Sequence, residues 1–208
     1  MKKHSRISLL FILITVITGL SFKLPAPRHE WKPLFDGKTL NGWHTLPGGN
    51  WRVEDSMIVG TNEKSDPRHG MLVTDSIFTD FELSLSFFVE KGNSGLYFRV
   101  KEVGGPYGVE GLQAEIHSTE AVGGLYETGG RGWVVEPDSA DVIKWNKPGT
   151  WNTLTVAAIG QSVIVHVNGY KTAEIHNDPG RRAGHIALQL HGEQDMLVSF
   201  KDIKIKAR

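Results

Sequence analysis

The sequence predicts an all-β protein built as one antiparallel two-sheet sandwich or jelly roll. Three observations support this prediction. Residues 80–90 alternate between apolar and polar side chains, which is the period of a half-buried strand. Asn168-Gly169 separates two β-branched runs, and this dipeptide is a strong hairpin signal. After Leu20, no window of about eleven residues keeps the 3.6-residue period of a helix.

The individual strands are expected at short apolar runs that end at Gly, Asn or Asp. In chain order they are 51–54, 57–59, 71–74, 80–90, 96–101, 112–118, 151–159, 162–168, 171–175, 185–191 and 196–206. The Gly-Asn-Ser-Gly sequence at 92–95 predicts a turn. The glycine-dense stretch from about 119 to 147 predicts a long loop, and loops of that length are often functional.

The chain of 208 residues is long enough for one well-buried domain, expected at residues 31–208. Before it, basic residues followed by the apolar stretch 7–20 predict a signal peptide, residues 1–21, cleaved after Ser21. An uncleaved N-terminal anchor is the alternative. Residues 22–30 contain two prolines and predict an extended tether. We therefore expect a secreted or periplasmic domain, with no stable membrane association after signal cleavage.

Charge and cysteine content exclude several classes of function. The chain has 23 basic and 23 acidic residues, and loss of residues 1–21, which hold three basic side chains and no acidic one, leaves a net charge of −3. This balance argues against a nucleic-acid partner, which needs a basic surface. The absence of cysteine excludes disulfides, thiol nucleophiles and cysteine-ligated zinc.

Three predicted strands carry unusual polar faces. If the alternation is taken literally, these faces combine residue types that bind polar ligands and move protons. If the strands are neighbours, their polar faces line one concave sheet surface. The alternative is an ordinary solvated face. The residues are Tyr97 and Arg99 on the first strand, Gln113, Glu115 and His117 on the second, and His185, Gln189 and His191 on the third.

The charged members of this set have two interpretations each. Glu115 is a candidate general base, or else a surface carboxylate paired with Arg99. Arg99 is suited to hold a carbonyl or hydroxyl oxygen, or to neutralise Glu115. His117 and His191 are candidate acid–base groups or metal ligands. Their spacing matches no metal signature, so the metal is unknown, with a divalent ion left open as an alternative.

Other side chains are suited to hold a sugar. Gln113 and Gln189 can donate to and accept from hydroxyl groups at the same time. In the long predicted loop, Tyr126, Arg131 and Trp133 are placed to close over a ligand, with Trp133 stacked on a sugar face. The alternative is a loop packed on its own aromatic side chains. We expect a small oligosaccharide or glycoside as the ligand.

Other catalytic signatures are weak or absent. The sequence has no G-x-S-x-G, P-loop or H-E-x-x-H motif. A conventional glycosidase needs two carboxylates flanking one bond. The neighbours of Glu115 on its face are Gln113 and His117, so a second carboxylate would have to come from another strand.

Several sequence blocks resemble the 3-keto-disaccharide hydrolase family over residues 31–206. They are WKPLFDGKTLNGW at 31–43, WRVED at 51–55, FEL at 81–83, NSGLYFR at 93–99, GLQAEI at 111–116, GLY at 124–126, WN at 151–152, VNG at 167–169 and FKDIKI at 200–205. The resemblance implies a concanavalin A-like jelly roll of the lectin/glucanase type. It also implies a location outside the cytoplasm and cleavage of glycosides oxidised at the sugar 3-position.

The resemblance assigns roles to part of the polar set. Arg99, Gln113 and Glu115 match polar strand positions of the family, and His191 matches its His-Gly pair. His117 stands where many members have an apolar or variable residue.

In the implied reaction a base removes the C2 proton beside the ketone, and the C1 oxygen then leaves. We expect Glu115 or His191 as the base and the other as the acid. Arg99 would stabilise the enolate oxygen. A non-catalytic lectin-like module and a two-carboxylate glycosidase remain the alternatives.

Overall fold

The computed structural model describes residues 30–208, which form fifteen strands and one short helix. The predicted signal peptide lies outside the described residues, as does all of the predicted tether except Glu30. In the described part of the chain, no helix is long and apolar enough to cross a membrane. The elements are β1 Lys32–Pro33, β2 Trp43–Leu46, β3 Asn50–Glu54, β4 Met57–Asn62, β5 Gly70–Thr74, β6 Phe81–Lys91, β7 Asn93–Glu102, β8 Val109–His117, β9 Leu125–Thr128, β10 Gly132–Val135, α1 Ser139–Val142, β11 Asn152–Ile159, β12 Ser162–Val167, β13 Tyr170–Ile175, β14 His185–Leu190 and β15 Met196–Ala207.

The strands form two antiparallel sheets, which confirms the predicted sandwich. The first sheet has the order β13-β12-β11-β6-β15-β4-β3, with β1 also paired to β15. The second has the order β10-β9-β8-β7-β14-β5-β2. In the second sheet, β8, β7 and β14 are neighbours, so the three strands with unusual polar faces lie side by side.

The core lies between the two sheets and follows the predicted alternation. Along β6, Phe81, Leu83 and Leu85 point inward and are fully buried. Phe81 meets Phe98 of β7 edge to face, with ring centroids 6.3 Å apart. The inward side chains of β7 and β8 thus hold one face of these strands against the core, and their polar side chains must project from the opposite face.

Two local predictions were wrong. The expected loop at 119–147 contains the β9–β10 hairpin and α1, whose N-terminus is capped by the side chain of Asp138. Four-residue strands are too short to show a period, and this stretch therefore has the composition of a loop. The expected turn at 92–95 is reduced to Gly92, which adopts a positive φ of 85°, and β7 begins directly at Asn93. Strands β1 and β2 were not predicted either.

Candidate active site

A cleft of about 740 Å³ lies on the outer face of the second sheet. Its floor is formed by β8, β7 and β14, and its sides by the β9–β10 hairpin and the segments around residues 67, 107 and 193. Eight of the ten predicted site residues line this cleft. They are Tyr97, Gln113, Glu115, His117, Tyr126, Trp133, Gln189 and His191.

The strand register sets the positions on the floor. In the β7–β8 ladder, Asn93 faces His117 and Gly95 faces Glu115. The β7–β14 ladder pairs Tyr97 with Ala187, and its continuation puts His191 beside Asn93. His117 and His191 therefore flank Asn93 in one row, separated by two strand spacings of ~5 Å each. Glu115 lies in the next row along β8.

Glu115 is a neutral acid in this environment. The residue is only 5% exposed, and burial raises its pKa from the ordinary 4.5 to about 8. Its carboxyl group accepts a hydrogen bond from Nε2 of Gln113. Desolvation disfavours the charged form, and no ion pair of Glu115 with a cationic side chain is found within residues 30–208. At neutral pH the carboxyl group therefore carries a proton that it can donate.

His191 presents a free ring nitrogen. Its Nδ1 lies 2.6 Å from the carbonyl oxygen of Gly192, and a carbonyl can only accept a hydrogen bond. The proton of the neutral ring is therefore on Nδ1, and Nε2 carries a lone pair. The backbone is fixed as well, because Nδ2 of Asn62 donates to the His191 carbonyl at 3.1 Å. His191 is suited to accept a proton in the cleft.

His117 has the opposite tautomer. The backbone N–H groups of Thr119 and Glu120 donate to its Nδ1 at 3.1 and 3.2 Å. Since Nδ1 accepts these two bonds, the proton of the neutral ring is on Nε2. Burial lowers the pKa of His117, and this effect is opposed by the charge of Glu120, so the neutral form is favoured. The two histidines thus offer a donor on one side of the cleft and an acceptor on the other.

The middle of the floor is a polar surface over a glycine. A Cβ atom at Gly95 would lie 2.5 Å from Oε1 of Gln113 and 3.2 Å from Oε1 of Gln189. Because Gly95 has no side chain, the amide groups of Gln113 and Gln189 can both lie above β7 at this position. Both amide oxygens, and Oδ1 of Asn93, are buried and have no hydrogen-bond partner within residues 30–208. Three such acceptors suit a ligand that is rich in hydroxyl donors.

Aromatic rings stand on two sides of the cleft. Trp133 is 38% exposed and meets Tyr126 edge to face, with centroids 5.4 Å apart. The two residues are opposite each other in the β9–β10 ladder, so the hairpin holds both rings in place. On the other side, Tyr107 packs its ring at 5.2 Å against His69. This arrangement provides an apolar face for a flat ligand between polar groups.

Arg99 does not lie in the cleft, contrary to the prediction. The β7–β8 register shifts between Phe98 and Lys101, and Arg99 has a φ of 52°, so its side chain leaves the polar face. The residue is 2% exposed. Its guanidinium group donates to the carboxylate of Asp80 and to the backbone carbonyl of Ala158 in the first sheet, at 3.0 Å each. Arg99 joins the two sheets and cannot hold a substrate oxygen.

Arg131 is the second residue that lies outside the cleft. It is in the turn between β9 and β10, where its side chain pairs with Glu127 and with the buried Asp178, the latter at 2.7 Å. These contacts tie the hairpin to the loop that precedes β14. The structure therefore places Arg131 outside the cleft lining, contrary to the expectation, whereas its neighbours Tyr126 and Trp133 do line the cleft.

Sequence reasoning missed His69, Asn93 and Tyr107. His69 is buried, and its Nδ1 lies 2.7 Å from Nε2 of Gln189. Its ring packs on that of His191 at 4.3 Å. Burial, followed by the charge of His191, lowers the pKa of His69 to about 4, so its ring is neutral. His69 and Tyr107 come from loops without a periodic pattern, and Asn93 was assigned to a turn.

No carboxylate pair or metal cluster is apparent on the floor. The other acidic residues of the lining are Glu120 and Glu193, which are exposed on the rim. Over residues 30–208, no group of three or more His, Asp or Glu residues has the geometry to hold a metal ion. The acid–base groups of the cleft include the neutral carboxyl group of Glu115 and imidazoles of fixed tautomer.

Comparison with known proteins identifies the family of this chain. A model of the family described as 3-keto-alpha-glucoside-1,2-lyase-like domain matches residues 30–206. A 3-keto-disaccharide hydrolase of Bacteroides thetaiotaomicron is 36% identical over 93 residues, which are 40% of this chain and 32% of that protein. The match thus spans about a third of the length of that curated relative.

Solved structures support the fold. Two candidate glycosyl hydrolases from Parabacteroides distasonis superpose with TM-scores of 0.63 and 0.61 at 24% and 25% identity. Each covers 86% of this chain, which spans 94% and 100% of theirs. A carbohydrate-binding module of family 66 from Bacillus subtilis superposes with a TM-score of 0.61 at 14% identity, over 80% of this chain and 96% of that one. The lectin-type sandwich is therefore common to these proteins.

Proposed function

Because the chain belongs to the 3-keto-alpha-glucoside-1,2-lyase-like domain family, we propose that it cleaves the glycosidic bond of 3-keto glycosides. The observation that carries the proposal is the complementary pair on the cleft floor. Glu115 holds a proton at neutral pH, and His191 has a free Nε2. A ketone at C3 acidifies the proton on C2, so one base and one acid are sufficient for elimination.

In the first half of the proposed reaction, His191 acts as the base and Glu115 as the acid. Nε2 of His191 takes the C2 proton, and the C2–H electron pair forms the enolate with the charge on the C3 oxygen. The enolate then restores the C3 carbonyl and forms a C1–C2 double bond as the C1–O bond breaks. The leaving oxygen takes the proton of Glu115. The products are an unsaturated 3-keto sugar and a free alcohol.

Addition of water reverses these roles and completes a hydrolysis. The Glu115 carboxylate takes a proton from water, whose oxygen attacks C1. His191 returns its proton to C2, so both residues regain their starting state. The unpartnered oxygens of Gln113 and Gln189 would accept hydrogen bonds from the sugar hydroxyls meanwhile. Trp133 offers its exposed ring as an apolar platform for the ligand.

The proposal is tested with paired 3-keto and unoxidised disaccharides, followed by NMR in heavy water with and without a chelator. We expect cleavage of the keto substrate alone, with deuterium incorporated at C2. The variants His191→Gln and Glu115→Gln should lose turnover. His176→Gln is the matched control, because His176 is exposed on the first-sheet side.

Other outcomes point to the other classes of function. Binding of either sugar without cleavage would contradict the proposal and indicate a lectin-like module. Cleavage of the unoxidised disaccharide at an equal rate would indicate a conventional glycosidase with a second carboxylate. Keto-selective cleavage without deuterium at C2 would retain the 3-keto substrate and exclude an elimination whose base exchanges its proton with solvent.

A further inference from the structure

We propose that His117 donates the hydrogen bond that polarises the C3 carbonyl of the substrate and holds its oxygen as the enolate forms. This inference rests on the proposed function and assigns the one role that the cleft, without Arg99, leaves open. An enolate oxygen needs a donor that is already in position, because developing charge in a dry site is costly without one.

Most donors on the floor are already engaged. Nε2 of Gln113 donates to Glu115, and Nε2 of Gln189 lies against His69. The hydroxyl of Tyr97 is 2.7 Å from that of Thr128. His191 uses its proton on a backbone carbonyl. Two imidazole donors then remain close to the floor, Nε2–H of His117 and Nε2–H of His69.

The direction of approach favours His117 over His69. A base removes a proton that stands perpendicular to the carbonyl plane, whereas a hydrogen-bond donor prefers to lie in that plane. The His69 ring packs on that of His191 at 4.3 Å, so it approaches the sugar from the side of the base. His117 lies across Asn93 from His191, ~10 Å away in the sheet, and approaches from the other side.

The ring of His117 is also held ready for this task. Two backbone N–H groups donate to Nδ1 and fix the donor on Nε2. A neutral imidazole can polarise a carbonyl without giving up its proton, which is the role of an electrophilic histidine in other enolising enzymes. Beside it, the unpartnered Oδ1 of Asn93 would accept a hydrogen bond from a hydroxyl next to the carbonyl. Together, His117 and Asn93 match a ketone flanked by a hydroxyl group.

The test uses turnover and the infrared spectrum of bound 3-keto-glucose carrying ¹³C at C3. We expect the carbonyl band of the bound sugar to lie below its position in water, and to return toward it in His117→Ala. Removal of one such donor lowers kcat by ~10²–10³-fold, here with little change in KM. His117→Gln retains an N–H donor and should recover part of both the band shift and kcat. His176→Ala is the control.

The experiment distinguishes a wrong role for His117 from a wrong substrate class. If His117→Ala leaves the carbonyl band unchanged, or leaves kcat on the keto substrate intact, this inference is wrong and the proposed function stands. If the wild-type protein neither cleaves the 3-keto disaccharide nor prefers 3-keto-glucose to glucose in binding, the proposed function is wrong, and this inference fails with it.

Discussion

Replacement of Glu115 by glutamine should change how stability depends on pH. The folded-state pKa of about 8 lies above the ordinary value of 4.5, so between these pH values the folded protein holds a proton that the unfolded chain has released. The stability associated with the neutral carboxyl is fully present below about pH 4.5 and is lost as pH rises toward 8. At ~1.4 kcal/mol for each pH unit, the loss amounts to roughly 5 kcal/mol.

Glu115→Gln has no proton to lose, and its amide can still accept the hydrogen bond from Gln113. We therefore expect the variant and the wild type to unfold alike near pH 4.5, and the variant to be more stable at pH 9 by up to roughly 5 kcal/mol. Urea unfolding at a series of pH values measures this difference. Glu110→Gln, a half-exposed carboxyl on the same strand, is the control. Parallel curves for Glu115→Gln and wild type across this range would refute the assignment of a neutral Glu115.

Three further predictions concern activity and packing. If Glu115 is the acid, kcat should fall as pH rises through about 8. The decrease should be absent with a substrate whose leaving group needs no proton, and a decrease that persists with that substrate would contradict the role of Glu115 as the acid. A Cβ at Gly192 would lie 2.6 Å from the Pro67 carbonyl oxygen, so Gly192→Ala should displace the neighbouring His191. We expect kcat to fall by ~10²-fold in steady-state assays, and an unchanged kcat would contradict this prediction. Arg99→Lys should destabilise the fold by ~3 kcal/mol in urea titrations, since it removes hydrogen bonds of a buried cation, and should leave kcat of the folded protein intact. A loss of kcat without a loss of stability would place Arg99 in the active site after all.

The fold could be predicted from the sequence where a strand is long and has one polar face. The β6 strand alternates over eleven residues, and its burial follows the same alternation. The β9 and β10 strands have four residues each, so no period is visible in them. Their pairing with each other and with β8 is a tertiary effect, to which the local sequence gives little clue.

The site could be predicted in part for the same reason. Gln113, Glu115 and His117 share a face because the period of two holds along β8. On β7 the period of two ends after Tyr97, because an irregularity in the ladder turns the side chain of Arg99 away from the cleft face. A bulge depends on the partner strand as well as on its own residues, so alternation on one strand cannot reveal it.

This irregularity also keeps the guanidinium group of Arg99 off the cleft face that holds Glu115. If Arg99 had followed the alternation, it would lie on the cleft face of β7, four residues beyond Gly95, which is the residue opposite Glu115. That is about 13 Å along the strand, so Arg99 would not be in contact with the carboxyl group. Arg99 instead pairs with Asp80 and with the Ala158 carbonyl of the first sheet, and burial alone raises the pKa of Glu115. The choice between Glu115 as base and Glu115 as acid, which the sequence left open, thus follows from the burial of this carboxyl group without a cation beside it.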